Sequence, residues 1–257
     1  TYIRCKSEYE LLDKFLKVWN FGTWKPDVVT GWNIEFFDIP YLVNRIKKML
    51  GDAEAKKLSP WRMLDEKEIT FKGKTNQTYT PFGIAVLDYY QLYRKFTFGN
   101  QESYKLDYIA QVELGEKKID YTEYGSLLEL YKSNFQKFIE YNIHDCVLVD
   151  KLDDKLKLIE QVMALAYDAK VNFTDTLTTV RSWDTIIHNY LMRSSVVVPP
   201  MRDSRGFSAL VGGHVKEPQL GMHKWVVSYD LNSLYPHLIM QYNISPETFD
   251  RRVEMPS

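Results

Sequence analysis

Thr30-Gly31-Trp32-Asn33-Ile34-Glu35-Phe36-Phe37-Asp38-Ile39-Pro40-Tyr41 is the stretch on which the reading of this chain turns. Asp27-Val28-Val29 runs into Thr30-Gly31-Trp32 as an apolar, β-branched segment, which predicts a buried strand. Pro40 is placed to open a helix, and the pattern from Tyr41 to Leu50 carries it to Gly51, a natural residue to end it. Asp38 sits between strand and helix. Carboxylates at strand ends of open α/β sheets line active crevices, but an Asp at a helix start also satisfies capping and the helix dipole. Both readings stand on local grounds.

Working outward, Ser7-Glu8-Tyr9-Glu10 has the form of a capping box ahead of a helix of Leu11, Leu12, Phe15, Leu16, Val18 and Trp19. Residues 66–80 are polar and β-prone around Lys72-Gly73-Lys74 and predict a projecting hairpin. Ile84 to Leu87 reads as a second buried strand, followed by a helix through Tyr89, Leu92, Tyr93 and Phe96. The longest helix is expected from about Ser133 to Met163, and another from Ser182 to Met192. Val196 to Pro200 then reads as a domain boundary, and Lys224 to Asp230 as a strand before a helix opened by Pro236. Strands interspersed with helices predict an α/β sheet in residues 1–157.

The 257 residues carry 33 basic and 34 acidic side chains, a net charge of −1, so composition lacks the polybasic signature of a phosphate-binding surface. Any claim about nucleic acid must rest on particular residues. Two cysteines, Cys5 and Cys146, are too few for a disulfide framework, which suits a reducing, cytoplasmic compartment. No apolar run reaches membrane length, and the histidines and cysteines show no zinc-type spacing.

Two further carboxylates stand in costly places. Phe138, Tyr141, Asp145, Leu148, Leu152, Leu156 and Ile159 share one helix face, so Asp145 falls in a stripe otherwise suited to burial. A buried carboxylate needs a metal, a cation or hydrogen-bond donors, and Tyr141 one turn earlier points to the same side. The open alternatives are a metal ligand with Tyr141 orienting water, or an Asp at the stripe's margin paired with a Lys or Arg. Asp230 ends the expected strand, and the sharp turn Leu231-Asn232-Ser233-Leu234-Tyr235-Pro236 offers backbone N–H groups to an anion. An ordinary strand-end Asp before a Pro-initiated helix is the plain alternative.

Taken as ordered strings, Thr30 to Tyr41, Tyr141-Asn142-Ile143-His144-Asp145 and Ser228-Tyr229-Asp230-Leu231-Asn232-Ser233-Leu234-Tyr235-Pro236 resemble family B DNA polymerases of the phage replicative type. The first two are similar to the second and third 3′→5′ exonuclease motifs, the last to polymerase motif A. The resemblance implies a ribonuclease-H-like 3′-5′ exonuclease domain in residues 1–157, incomplete without its first motif, a helical connector in 158–200, and the start of a polymerase palm in 201–257. It implies that Asp38 and Asp145 are two of four carboxylates holding a pair of Mg²⁺ or Mn²⁺ ions, with Tyr141 positioning the attacking water. Asn33 and Phe37 would lie against the frayed primer end. Asp230 would ligate the polymerase-site metals, with Leu231, Ser233, Leu234 and Tyr235 binding the incoming dNTP and Tyr235 excluding a ribose 2′-OH. The hairpin would help move primer ends between sites, and Arg202 and Arg205 are read as a solvated charged loop rather than a template contact.

The first exonuclease motif, Asp-x-Glu, is expected ahead of Thr1, and polymerase motifs B and C beyond Ser257. The expected partners are DNA primer-template, a single-stranded 3′ end, dNTP and complementary polymerase chains supplying the other motifs, with no membrane, in the cytoplasm of an infected host cell. The expected function is thus a part of a proofreading DNA polymerase, inactive or nearly so alone. The competing readings are a non-catalytic assembly or DNA-binding module of a split polymerase, and a stand-alone ribonuclease-H-like nuclease.

Overall fold

The computed structural model describes residues 3–21, 25–71, 74–198, 212–248 and 250. The chain divides into two compact units, Thr1–Pro200 and Met201–Ser257. In the first, α1 (Glu8–Phe21) leads to β1 (Val28–Gly31), α2 (Asp38–Leu50), the short α3 (Asp52–Ala55), β2 (Leu64–Phe71), β3 (Lys74–Pro81) and β4 (Ala85–Asp88). Then follow α4 (Tyr89–Phe96), α5 (Leu106–Leu114), α6 (Leu127–Ser133), α7 (Phe135–Leu156), α8 (Leu158–Ala169) and α9 (Thr179–Arg193). The second unit has one α-helix among its described residues, α10 (Leu234–Tyr242). No helix among the described residues is long and apolar enough to cross a membrane.

One bond of the capping box forms as read, Ser7 Oγ accepting from Glu10 N–H at 3.2 Å, while Glu10 Oε2 reaches one residue further back and accepts from Lys6 N–H at 2.7 Å. β1 and β4 pair in parallel, Val28 opposite Ala85 and Gly31 opposite Asp88. A parallel pair needs a crossover connection, and α2 lies within it. The same connection holds the β2–β3 hairpin, paired antiparallel from Leu64–Pro81 to Phe71–Lys74, where the sequence placed it.

Helices bury the ribbon through two apolar clusters. One gathers Leu87, Tyr89, Leu92, Tyr93, Ile109, Leu148, Leu152 and Val162, with Val28 and Trp32 against it. The other gathers Leu12, Leu16, Ile39, Val43, Ile46, Leu58 and Tyr79, with Val86 against it. Neighbouring Val86 and Leu87 serve opposite clusters because strand side chains alternate. The first unit is thus mixed α/β, with helices α4, α5, α7 and α8 feeding one cluster and α1 and α2 the other.

Two expectations are corrected. The single helix from Ser133 to Met163 is two. Lys157 is left-handed (φ 54°) and closes α7, while Asp153 Oδ1 accepts from Ile159 N–H at 3.1 Å in the first turn of α8. The expected strand Lys224–Asp230 pairs with nothing among the described residues, and its side chains are exposed. A strand exists through its ladder, so β-prone residues without a partner stay irregular. Arg202 and Arg205 lie outside the described residues.

Candidate active site

The functional side chains of the first unit meet in an open cavity of about 1220 Å³, lined by Asn33, Phe37, Asp38, Lys118, Tyr141, Asp145 and Cys146 among others. Three devices build the wall that carries Asn33 to Asp38. Gly31 lies so close to Ile34 that a Cβ there would stand 2.4 Å from Ile34 Cγ2. Asn33 takes a left-handed backbone (φ 67°), a conformation Asn tolerates better than most residues. Trp32 anchors the turn by donating its indole N–H to Tyr104 O at 3.2 Å and packing against the rings of Tyr89, Tyr90 and Tyr93.

Asp38 is the first residue of α2, where its charge suits the helix dipole. Its edge is exposed, yet surrounding cleft atoms desolvate it and push its carboxyl above the usual range, against its own backbone N–H, which acts the other way. Phe37 beside it is exposed and stacked on Tyr41, centroids 6.3 Å apart and planes 13° from parallel. This flat aromatic face stands at the rim of the cavity.

The opposite wall is α7. Leu148, Val149 and Leu152 bury its lower turns, and the same helix face delivers Tyr141 and Asp145 to the cavity. Asp145 Oδ2 accepts from Lys118 Nζ at 2.7 Å, both side chains being 27% exposed. The pairing expected as the alternative to a metal ligand is therefore present. Asp145 Oδ1, however, is buried without any hydrogen-bond partner. Burial pulls the Lys118 ammonium down, but the hydrogen bond and charge of Asp145, with Tyr141 helping, outweigh it and hold it above the usual value. The Tyr141 hydroxyl is pushed up by burial, and Tyr121 packs edge-on against its ring at 5.2 Å. Cys146 lines the same cavity; burial raises its thiol, and the charges of Asp145 and Asp38 raise it further. His144 hydrogen-bonds Lys117 O at 3.0 Å, as befits a structural residue.

An orphaned buried carboxylate oxygen on Asp145 and a desolvated carboxylate on Asp38 fit a divalent cation, which would replace the missing partner. Among the described residues no three His, Cys, Asp or Glu side chains converge on one point.

Two residues of this site escaped sequence reading. Lys118 lies in a loop without local pattern, and only the fold carries it to Asp145. Asp88 ends β4, 1% exposed, and accepts from Asn33 N–H at 2.8 Å, Tyr90 N–H at 3.1 Å and Glu35 N–H at 3.2 Å. Its position after a strand and before a helix is an N-cap signal that sequence does carry.

In the second unit, Asp230, Leu231 and Tyr235 are exposed. Ser233 is left-handed (φ 53°) and makes the turn into α10, which starts at Leu234 and takes Pro236 within its first turn. A Cβ on Gly213 would lie 3.0 Å from the Tyr235 hydroxyl, so these two stretches of the unit approach closely.

A mixed α/β unit presenting two carboxylates in one cavity, followed by an irregular β-prone segment, a turn and a helix beside a further Asp, is what an exonuclease-type segment joined to a polymerase-type one would present. Family models agree: residues 2–109 match the exonuclease domain of DNA polymerase family B, and residues 171–257 match DNA polymerase family B itself. The chain belongs to DNA polymerase family B. Its relatives include the DNA-directed DNA polymerase of Escherichia phage RB69, 43% identical over 96% of this chain, and that of Enterobacteria phage T4, 36% identical over 96%. A DNA polymerase of Pyrococcus glycovorans is 26% identical over 95% of the chain. The chain spans 27% of the length of each phage relative and 31% of the archaeal one.

Proposed function

We propose that this chain forms the second half of a 3′→5′ proofreading exonuclease site and the opening of a polymerase site in a phage-type DNA polymerase. Its first domain is ribonuclease-H-like over residues 1–157, followed by a connector over 158–200 and the start of a palm over 201–257. The observation that carries this reading is the shared cavity of Asp38, Tyr141 and Asp145, with the Asp145 Oδ1 atom buried and unpartnered.

Asp38 and Asp145 would hold divalent ions, Mg²⁺ or Mn²⁺, together with two carboxylates from the first exonuclease motif. Such ions, when bound, lower the pKa of an attacking water and neutralise charge on the leaving oxygen. The chain's own groups do the rest. The Tyr141 hydroxyl orients the water toward the terminal phosphodiester. Phe37, stacked on Tyr41, offers a face to the unpaired bases of a frayed primer, and Asn33 borders the same end. In the second unit, Asp230 would serve the polymerase metals. The backbone of Leu231, Ser233 and Leu234 would cradle a dNTP triphosphate at the start of α10, with Tyr235 beneath the sugar. DNA primer-template and dNTP are then the substrates, and the setting is the cytoplasm of an infected cell.

A specific observation supports the assembly role as well. Trp225, Val226, Val227, Tyr229, Leu231 and Met240 are all exposed, an apolar surface that further polymerase polypeptide would cover. The two roles are compatible, since complementing polypeptide would also bring the other motifs.

The test incubates the chain with Mn²⁺ and a 5′-labelled single-stranded oligonucleotide, beside Asp145→Ala. Shortening by the chain alone is expected at the limit of detection. Adding a polypeptide that carries the Asp-x-Glu motif restores stepwise 3′→5′ shortening to the wild type and not to the variant. Shortening that survives Asp145→Ala overturns the assignment.

A further inference from the structure

Asp88 belongs to none of the motifs, yet it is the most deeply buried acidic side chain beside the cavity. Gly31 and Asp88 are register partners at the ends of β1 and β4, so the carboxylate emerges where the Trp32–Phe37 turn begins. Its Oδ1 accepts from Asn33 N–H at 2.8 Å and Tyr90 N–H at 3.1 Å, and its Oδ2 from Glu35 N–H at 3.2 Å. One side chain thereby ties two residues of the turn to the first turn of α4. Gln91 of α4 adds a second tie by donating to the Glu35 carboxylate. The turn then closes on itself, Phe37 N–H to Asn33 O at 3.2 Å and Ile39 N–H to Ile34 O at 2.9 Å, and delivers Asp38.

We propose that Asp88 is a positioning residue for the 3′-end site: its buried carboxylate sets the left-handed Asn33 and, through the turn, the aim of Phe37 and Asp38. The inference rests on the exonuclease reading given above. The chemistry requires an acid. Three N–H donors converge on two oxygens, which only a group that accepts at both atoms can satisfy. Asparagine has the same shape but turns an NH₂ toward one of those donors, leaving it unpaired in a buried place.

The test uses the whole chain in EDTA, so that binding is read without hydrolysis. The probe is a single-stranded oligonucleotide with 2-aminopurine at its 3′ terminus, beside one with the base placed internally. Asp88→Asn should weaken quenching of the terminal probe about tenfold while binding of the internal probe is unchanged. Deuterium uptake of a peptide spanning 32–38 should rise about tenfold. Val162→Ala, a buried position on α8, supplies a variant with comparable loss of Tm and should leave both readouts at wild-type values. Equal weakening by Asp88→Asn and Val162→Ala would make Asp88 merely structural and overturn the proposal. So would wild-type quenching or wild-type deuterium uptake in Asp88→Asn. A wild-type chain that quenches neither probe overturns the site reading itself, and the positioning role with it.

Discussion

Residues 30–41 and 228–236 share their parts: β-prone residues, a turn, an Asp, and a helix with Pro in its first turn. In the first, the strand pairs with β4, the turn is tied to Asp88, and the Asp reaches a cavity shared with α7. In the second, the helix forms and the turn takes its left-handed residue, but the β-prone segment before it pairs with nothing among the described residues and Asp230 is exposed. Local sequence thus suffices for a turn and a helix start, whose hydrogen bonds close within a few residues. Strands and sites need atoms from far along the chain, and among the described residues those are gathered around the first motif.

Core truncation should separate the regions most sharply. Leu152→Ala empties a fully buried position and should cost about 2–5 kcal/mol, read by denaturant unfolding. Ile239→Ala on α10 removes a side chain that is 49% exposed and should stay within about 0.5 kcal/mol. A large loss from Ile239→Ala would show that the second unit buries α10 in solution.

The two glycines make a finer comparison. Gly31→Ala forces a methyl to 2.4 Å from Ile34 Cγ2 and should cost about 1–3 kcal/mol, with increased exchange of the turn. Gly213→Ala meets only the end of an exposed Tyr235 at 3.0 Å, which can swing away, so its thermal melt should match the wild type.

Lys118→Met tests the ion pair that holds Asp145. It should cost about 1–2 kcal/mol at neutral pH, since both partners are largely but not wholly shielded and Asp145 loses its one hydrogen-bond partner. The sign with pH follows from the raised lysine: its stabilisation is complete below the ordinary value of 10.5 and is lost as pH rises through the higher folded value. On the alkaline side, the stability gap between wild type and variant should therefore narrow only in strongly alkaline solution. A gap that is flat to that limit would assign the cost to packing.

The smallest effects belong to Asp38 and Asp230. The folded-state pKa of Asp38 is raised by desolvation, so folding favours its protonated form, and that contribution is lost as pH rises through the folded value. Asp38→Asn should accordingly stabilise the metal-free chain at neutral pH by a few tenths of a kcal/mol, the gain vanishing below the ordinary value of 3.8. Asp230→Asn, on an exposed stretch, should leave the unfolding midpoint at the wild-type value. A gain at Asp230 equal to that at Asp38 would erase the contrast between the regions.

The legible features were those with a short-range signature. The capping box at Ser7 and Glu10, the hairpin, the helix stop at Gly51 and the placement of Tyr141 and Asp145 on one face all follow from spacing. The long helix was over-extended because the stripe through Ile159 continues across Lys157, whose left-handed turn has no Gly to announce it. Asp88 passed unnoticed because an Asp before a helix is commonplace, and its second role appears only when Asn33, 55 residues away, is brought onto it. Lys118 gave no signal at all, since a loop lysine is chemically neutral information until a carboxylate 27 residues on stands beside it.

Taken alone, the sequence determined that Tyr141 and Asp145 share a helix face, which face of α7 is buried and where turns and helices begin, because these depend on neighbours within a turn or two. Tertiary structure alone decided that Asp38, Tyr141 and Asp145 share one cavity, that Lys118 takes one oxygen of Asp145 and leaves the other unpartnered, and that Asp88 holds the turn between them. The reason is physical. Desolvation and hydrogen-bond convergence are set by what surrounds a group in space, and that is assembled only when β1 finds β4 and the helices close over them.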